Sequence, residues 1–193
     1  MIPAVSPHAL PYVALPGAFT PDELDEIIRI GDRLAAGKAT IAGLPEVDQY
    51  DAIRITDTAW MEPADETAWL YAKLGEIVRA FNDQFFHFEL TGFAHAFQYT
   101  VYRAPDGSHY DWHVDHGGQM PSPRKLSLSV QLTDPARYEG CDLQTHVGKD
   151  IAPAPRERGT VIAFPSYVLH RVTPITAGTR KSLVVWATGP AFR

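Results

Sequence analysis

From Phe93 onward the chain divides into short segments rich in β-branched and aromatic residues: FAHAFQYTVY, YDWHV, KLSLSVQL, CDLQTHV, GTVIAFP, YVLHRV and KSLVVWAT. Turn-forming stretches such as APDGS, GGQMPSP and TAGT stand between them. Strands of this number at this spacing argue for a sandwich or a jelly-roll barrel. Two amphipathic helices precede them. In FTPDELDEIIRIGDRL, Thr20 suits the N-cap and Pro21 the first helical position, while Glu23 completes a capping box. Leu24, Ile27, Ile28 and Leu34 then mark one apolar face. A second helix fits ADETAWLYAKLGEIVRAFNDQFF, with Trp69, Leu70, Leu74, Ile77, Val78 and Phe81 at helical spacing. The expected architecture is α+β, with the helices buttressing one face of a β-core.

Composition bounds the function. The chain has 193 residues, 45% hydrophobic and 21% charged, and no repeat or linker divides it, so one soluble domain over residues 1–193 is expected. Helical support is expected over about 1–92 and the β-core over about 93–190. No apolar run is long enough to span a membrane. The N-terminal stretch lacks the basic and apolar regions of a secretory signal. A single cysteine, Cys141, allows no disulfide framework within the chain, and a cytoplasmic location fits. Net charge is −6, with no basic run longer than Arg124-Lys125 or Arg180-Lys181, which disfavours a nucleic-acid partner. Monomer and homodimer are both open.

Residues 109–117, HYDWHVDHG, concentrate potential metal ligands. In an extended strand His113 and Asp115 share one face, while Trp112, Val114 and His116 take the other. His109 and Asp111 lie at the strand's approach, as entrance or hydrogen-bonding residues. A third ligand has to come from elsewhere. His170 closes an apolar strand, and Arg180 follows ten residues later across the turn TPITAG. On hairpin partners the two can face one pocket. His146 has no such sequel and is expected to cap a strand or line the pocket wall. Two histidines and a carboxylate on one side of a metal suit non-haem Fe(II) and leave positions open. A bidentate acid and dioxygen could occupy those positions, and an arginine fork suits the acid's far carboxylate.

HVD followed by HRVTPITAGTRKS resembles the Fe(II)/2-oxoglutarate-dependent oxygenases, in the prolyl 4-hydroxylase-like branch. QY at 98–99, KLSLSVQLTDPARYEG at 125–140 and GTVIAFPSYVLHRVTP at 159–174 extend the likeness over residues 93–190. The resemblance implies a double-stranded β-helix (jelly-roll) core. It implies His113, Asp115 and His170 as iron ligands and Arg180 on the distal carboxylate of 2-oxoglutarate. It further implies Tyr102, Gln131 and Ser182 near that co-substrate, and Trp186 as a bulky wall of the iron pocket. The implied reaction is hydroxylation of an aliphatic C–H bond, with O2 consumed, succinate and CO2 released, and ascorbate as an optional reductant. Implied substrates are peptidyl or free amino acids such as proline, or small secondary metabolites.

Two departures stand out. YEGC places Cys141 where relatives commonly carry a glycine that serves a tight turn, which alters the backbone or adds a thiol near the pocket. Nucleic-acid demethylases of the superfamily carry a second arginine six residues after the first, where this chain has Trp186. Asp115 favours hydroxylation, because halogenating relatives lack that carboxylate. Two rival readings compete. A zinc-type hydrolytic site on His113, Asp115 and His116 needs a bulge and leaves Arg180 unexplained. A metal- and 2-oxoglutarate-binding sensor would bind without turnover. The pocket mouth is expected from Leu44 to Thr58 and from the RAPDGSHY and GGQMPSP loops, with the Gly/Pro-rich loop 117–123 as a lid.

Overall fold

The computed structural model describes residues 11–34, 37–38, 53–93, 96–116 and 124–191. The loop expected as a lid, and residues 44–52 of the expected mouth, lie outside the described residues. Helix α1 (Pro21–Arg33) begins where its capping box requires. The Thr20 hydroxyl accepts from the Glu23 amide, and the Glu23 carboxylate accepts from the Thr20 amide. Helix α2 (Ala68–Phe81) starts four residues later than its sequence pattern suggests. The Thr67 hydroxyl accepts from the Ala64 amide and donates to the Glu62 carbonyl, which holds residues 62–67 in a turn. Beyond α2, Asn82–Phe86 widens into a π-turn that ends at His87.

The strands form two antiparallel sheets among the described residues. The major sheet runs β1 (Val13–Leu15), β12 (Val161–Pro165), β8 (Arg124–Gln131), β14 (Ile175–Thr188), β6 (Phe97–Arg103), β4 (Asp57–Met61) and β2 (Gly37–Lys38). Two short strands, β5 (Gly92–Phe93) and β9 (Tyr138–Gly140), also pair with β14. The minor sheet runs β11 (Asp150–Pro153), β10 (Leu143–Val147), β13 (Leu169–Val172), β7 (His109–His113) and β3 (Arg54–Ile55). This is the double-stranded β-helix, with α1 and α2 packed on the major sheet. The segment before Phe93 is more than helical support. Its strands β1 and β4 extend the major sheet, with β4 pairing to β6 from Asp57↔Val101 to Met61↔Phe97.

Alternation along the central strands sorts side chains by chemistry. Phe97, Tyr99, Val101, Leu126, Val130, Leu183 and Val185 join Ile27, Ile30, Leu70 and Leu74 of the helices in one core. Burial of each such aliphatic or phenyl side chain contributes about 1.5–3 kcal/mol. The intervening residues Gln98, Thr100, Tyr102, Ser127, Ser129, Gln131, Arg180 and Ser182 are equally buried but mostly polar. They point the other way, between the sheets.

One expectation is corrected here. His170 and Arg180 do not sit on hairpin partners, because β13 belongs to the minor sheet and β14 to the major one. The chain crosses between the sheets at Thr173-Pro174. The Thr173 amide turns to the Asp142 carbonyl, and Pro174 has no amide hydrogen with which to continue the ladder. The TPITAG stretch is therefore a crossover and the start of β14, where Ile175–Gly178 pair with β9.

At this crossover Gly140 has φ +68°, and a Cβ there would meet the Pro174 carbonyl oxygen at 2.3 Å. Gly140→Ala should lower the unfolding free energy by at least about 2 kcal/mol, read from urea denaturation midpoints. A loss under about 0.5 kcal/mol would contradict this packing.

Candidate metal and co-substrate site

His113 on β7 lies directly across from His170 on β13, and their ring centroids are 4.1 Å apart. The His113 Nδ1 contacts the Asp111 carbonyl at 2.7 Å, and the His170 Nδ1 contacts the Val168 carbonyl at 2.9 Å. A carbonyl oxygen can only accept, so each ring carries its proton on Nδ1 and presents a bare Nε2. Both Nε2 atoms face Asp115, at 3.7 Å from its Oδ1 for His113 and 3.6 Å from its Oδ2 for His170. One ligand atom from each of the three residues lies within 4.8 Å of the others, a group that could hold a metal ion.

Asp115 reaches this position by leaving the strand. β7 ends at His113, and the Asp115 and His116 amides both donate to the Ser166 carbonyl, each at 2.9 Å. Extended alternation over YDWHVD therefore holds only to His113, and a bend supplies the rest. The Asp115 Oδ2 accepts from the Ser127 hydroxyl at 2.6 Å and from the Trp186 indole at 2.8 Å. Burial disfavours the Asp115 carboxylate, but His170, His113 and these two hydrogen bonds outweigh it and hold the carboxyl below its ordinary pKa. Burial, reinforced by His170, pushes His113 down to about 3, so its imidazole is neutral at physiological pH.

Arg180 is buried on β14, directly opposite Tyr102 of β6. Its Nε and Nη2 donate to the Gln131 Oε1 at 3.2 and 2.8 Å, while its buried Nη1 has no hydrogen-bond partner. The Tyr102 ring lies 5.5 Å from the guanidinium, and burial pushes its phenol up to about 12, which keeps the hydroxyl protonated. His113, Asp115, His170, Tyr102, Arg180 and Ser182 line one cavity between the sheets. Gln131 does not line it, and acts on the cavity through Arg180. The Ser182 hydroxyl lies 2.6 Å from that of Thr100.

The other candidates lie apart from this group. The His109 Nδ1 contacts the Gly107 carbonyl, the Asp111 carboxylate accepts from the Trp112 amide, and the His116 Nδ1 contacts the Arg124 carbonyl. His146 is not in the cavity wall. Its neighbour Thr145 is the one paired with His170, and its ring lies 5.6 Å from that of Trp112. Cys141 adopts φ +56°, the left-handed conformation a glycine would take without strain. Its buried thiol lies beside Arg180, and burial pushes the thiol pKa up. Ser127 and the hydrogen-bonding role of Trp186 escaped the sequence reading. The one available signal was the run of buried polar residues at period two in SLSVQ.

Residues 97–188 match the model of the 2OG-Fe(II) oxygenase superfamily. The match covers just under half of the chain. A PKHD-type hydroxylase of Synechococcus sp. (strain CC9311) is 36% identical over 77 residues, 40% of this chain and 35% of the relative. A second, from Synechococcus sp. (strain CC9605), is 37% identical over 87 residues, 45% of this chain and 39% of the relative. The alignments thus span well under half of either relative's own length. In three dimensions the chain resembles a Pseudomonas putida prolyl-4-hydroxylase, with TM-score 0.71, 20% identity and 93% of both chains covered. It also resembles a Trichoplax adhaerens prolyl hydroxylase solved with a hypoxia inducible factor peptide fragment, with TM-score 0.75, 15% identity, and coverage of 92% of this chain and 83% of the other. Both share the fold.

The donor set suits the oxygenases' iron. Two imidazoles and one carboxylate occupy one side of a point, and hydrogen bonds to the Asp111 and Val168 carbonyls, Ser127 and Trp186 orient them. The unspent Nη1 donor of Arg180 suits a carboxylate in the same cavity.

Trp186→Phe removes one hydrogen bond to Asp115 with little change of shape. It should weaken divalent-metal affinity about tenfold in competition titrations; unchanged affinity would show that the indole does not orient the carboxylate. A pH effect also follows. The metal-free protein holds His113 neutral well below its ordinary pKa, so between pH 7 and 5 the unfolded state takes up the proton that the folded state refuses. Stability should therefore fall as pH drops through that window, and His113→Gln should flatten the dependence of the urea midpoint.

Proposed function

We propose that this chain is a 2-oxoglutarate- and O2-dependent hydroxylase of an aliphatic C–H bond, acting on a peptidyl or free amino acid such as proline and releasing succinate and CO2. One observation carries the reading: the bare Nε2 atoms of His113 and His170 converge on Asp115 in the cavity that also holds Arg180. The superfamily match and the PKHD-type hydroxylase relatives support it. Iron bound by His113, Asp115 and His170 supplies dioxygen activation and C–H oxidation, coupled to decarboxylation of 2-oxoglutarate.

The protein's own residues position and select. Arg180 binds the distal carboxylate through its free Nη1 and the edge left open beside Gln131. Gln131 fixes the guanidinium plane and is itself tied by its amide to the Pro155 carbonyl at 2.9 Å. Tyr102 keeps its proton and can donate to the same carboxylate, with Ser182 beside it. Ser127 and Trp186 hold the Asp115 Oδ2, which leaves Oδ1 turned towards His113. Residues 1–193 act as one catalytic unit, with ascorbate as an auxiliary reductant.

Anaerobic Fe(II) and 2-oxoglutarate should together give a weak visible absorption band that oxygen bleaches as succinate forms. His170→Ala should abolish succinate formation, whereas His116→Ala and His109→Ala should retain most of it. Arg180→Ala should chiefly raise the KM for 2-oxoglutarate. Wild-type turnover in His170→Ala would overturn the assignment. A band with no succinate under any substrate would favour the binding-module reading instead.

A further inference from the structure

A second arginine shares the cavity, and the reading above leaves it without a role. Arg54 on β3 pairs with Tyr110 of β7, and its guanidinium lies 4.6 Å from the centre of the Tyr110 ring. The other member of that stack is His113, whose ring centroid is 3.4 Å from that of Tyr110 with the planes inclined by 12°. Arg54 is thus one stacked ring away from a candidate metal ligand. Its Nη2 donates to the Gln98 Oε1 at 2.9 Å. Its Nε is buried and has no hydrogen-bond partner. No carboxylate among the described residues forms an ion pair with it.

The cavity therefore contains two guanidinium groups, and each keeps a buried N–H that the protein does not satisfy. Buried donors are normally paired, and an unpaired one on a cation is costly. A ligand anion at each group would remove both deficits. 2-Oxoglutarate has two carboxylates. The proposed function assigns the distal one to Arg180, and the other would belong to the bidentate acid that the metal's open positions could accept. Arg54 is left for a different anion.

We propose that Arg54 binds the α-carboxylate of the primary substrate, so that the residue to be hydroxylated carries its own free carboxylate. That substrate is a free amino acid, or a peptide whose last residue reacts. The short separation between Arg54 and His113 is the reason for naming the α-carboxylate. An anion held one ring from the metal ligands belongs to the reacting residue itself, not to a distant acidic side chain. An internal peptidyl residue presents a neutral amide at that place and cannot satisfy the arginine fork. Tyr110 stacks on both Arg54 and His113 and acts as a positioning residue between the anion site and the metal site.

This inference rests on the metal and co-substrate reading, and the test separates the two. Protein holding Mn(II) and 2-oxoglutarate is titrated with free L-amino acids, L-proline included, and with dipeptides ending in them. Each ligand is matched with its carboxamide, and binding is read as thermal stabilisation, without turnover. At least one acid should bind, its amide should bind at least about tenfold more weakly, and Arg54→Gln should weaken the acid to a similar degree. The same variant should keep its stabilisation by Mn(II) and 2-oxoglutarate, which also shows that it folds. Three results would overturn the proposal: no free acid binds, acid and amide bind alike, or Arg54→Gln loses affinity for 2-oxoglutarate while keeping it for the acid. If Mn(II) and 2-oxoglutarate fail to stabilise the wild type, the underlying reading fails first.

Discussion

The guanidinium of Arg180 is enclosed by protein, and no carboxylate among the described residues pairs with it. Removing a cation from water costs several kcal/mol unless other groups compensate. Gln131 accepts two of its N–H bonds and Tyr102 offers a ring face, but Nη1 is left without a partner. A cation kept in this state needs a polar interior around it. That need is met by inward residues of β6, β8 and β14 such as Gln98, Thr100, Tyr102, Ser129, Gln131 and Ser182, where a simple sandwich would carry aliphatics. With the interior given over to polar groups, apolar burial moves to the opposite face of the same strands. The helices are needed there: Ile27, Ile30, Leu70 and Leu74 cover the aliphatic side of the major sheet.

This division explains which parts of the structure could be read from sequence. The Thr20 capping box involves four consecutive residues and folds as its pattern requires. The His-x-Asp pair and its distant partners His170 and Arg180 were also recoverable, because each residue type suits a definite chemical task. The path between His170 and Arg180 was not. A turn-rich stretch after a strand normally closes a hairpin, and only the pairing of Ile175–Gly178 with β9 shows the chain changing sheets. Strands β1 and β4 were missed because three to five residues of mixed character carry little periodicity. Their strand state comes from the pairing partners β12 and β6. Arg54 was hidden for a similar reason, since its importance arises from Tyr110 and Gln98, which are distant in sequence.

Cys141 shows how a local departure from pattern can be absorbed. A side chain at φ +56° costs about 1–2 kcal/mol relative to glycine. The backbone is nevertheless fixed there, since the Cys141 amide donates to the Pro174 carbonyl at 3.1 Å and the Asp142 amide to the Thr173 hydroxyl at 2.8 Å. The buried thiol lies beside Arg180, where a glycine would place no side chain. The turn is thus determined by the sheet crossover, and the residue type adjusts to it.

The bend that delivers Asp115 is made by main-chain atoms: two amides share the carbonyl of Ser166. Val114, the residue between the two motif positions, is 46% exposed. Its identity is therefore nearly free to drift during evolution while the geometry on either side persists. What has to be inherited is a carbonyl some fifty positions further along the chain, in the turn that follows β12, and a carbonyl is supplied by every amino acid. The most constrained contact of the motif consequently leaves no letter in the sequence.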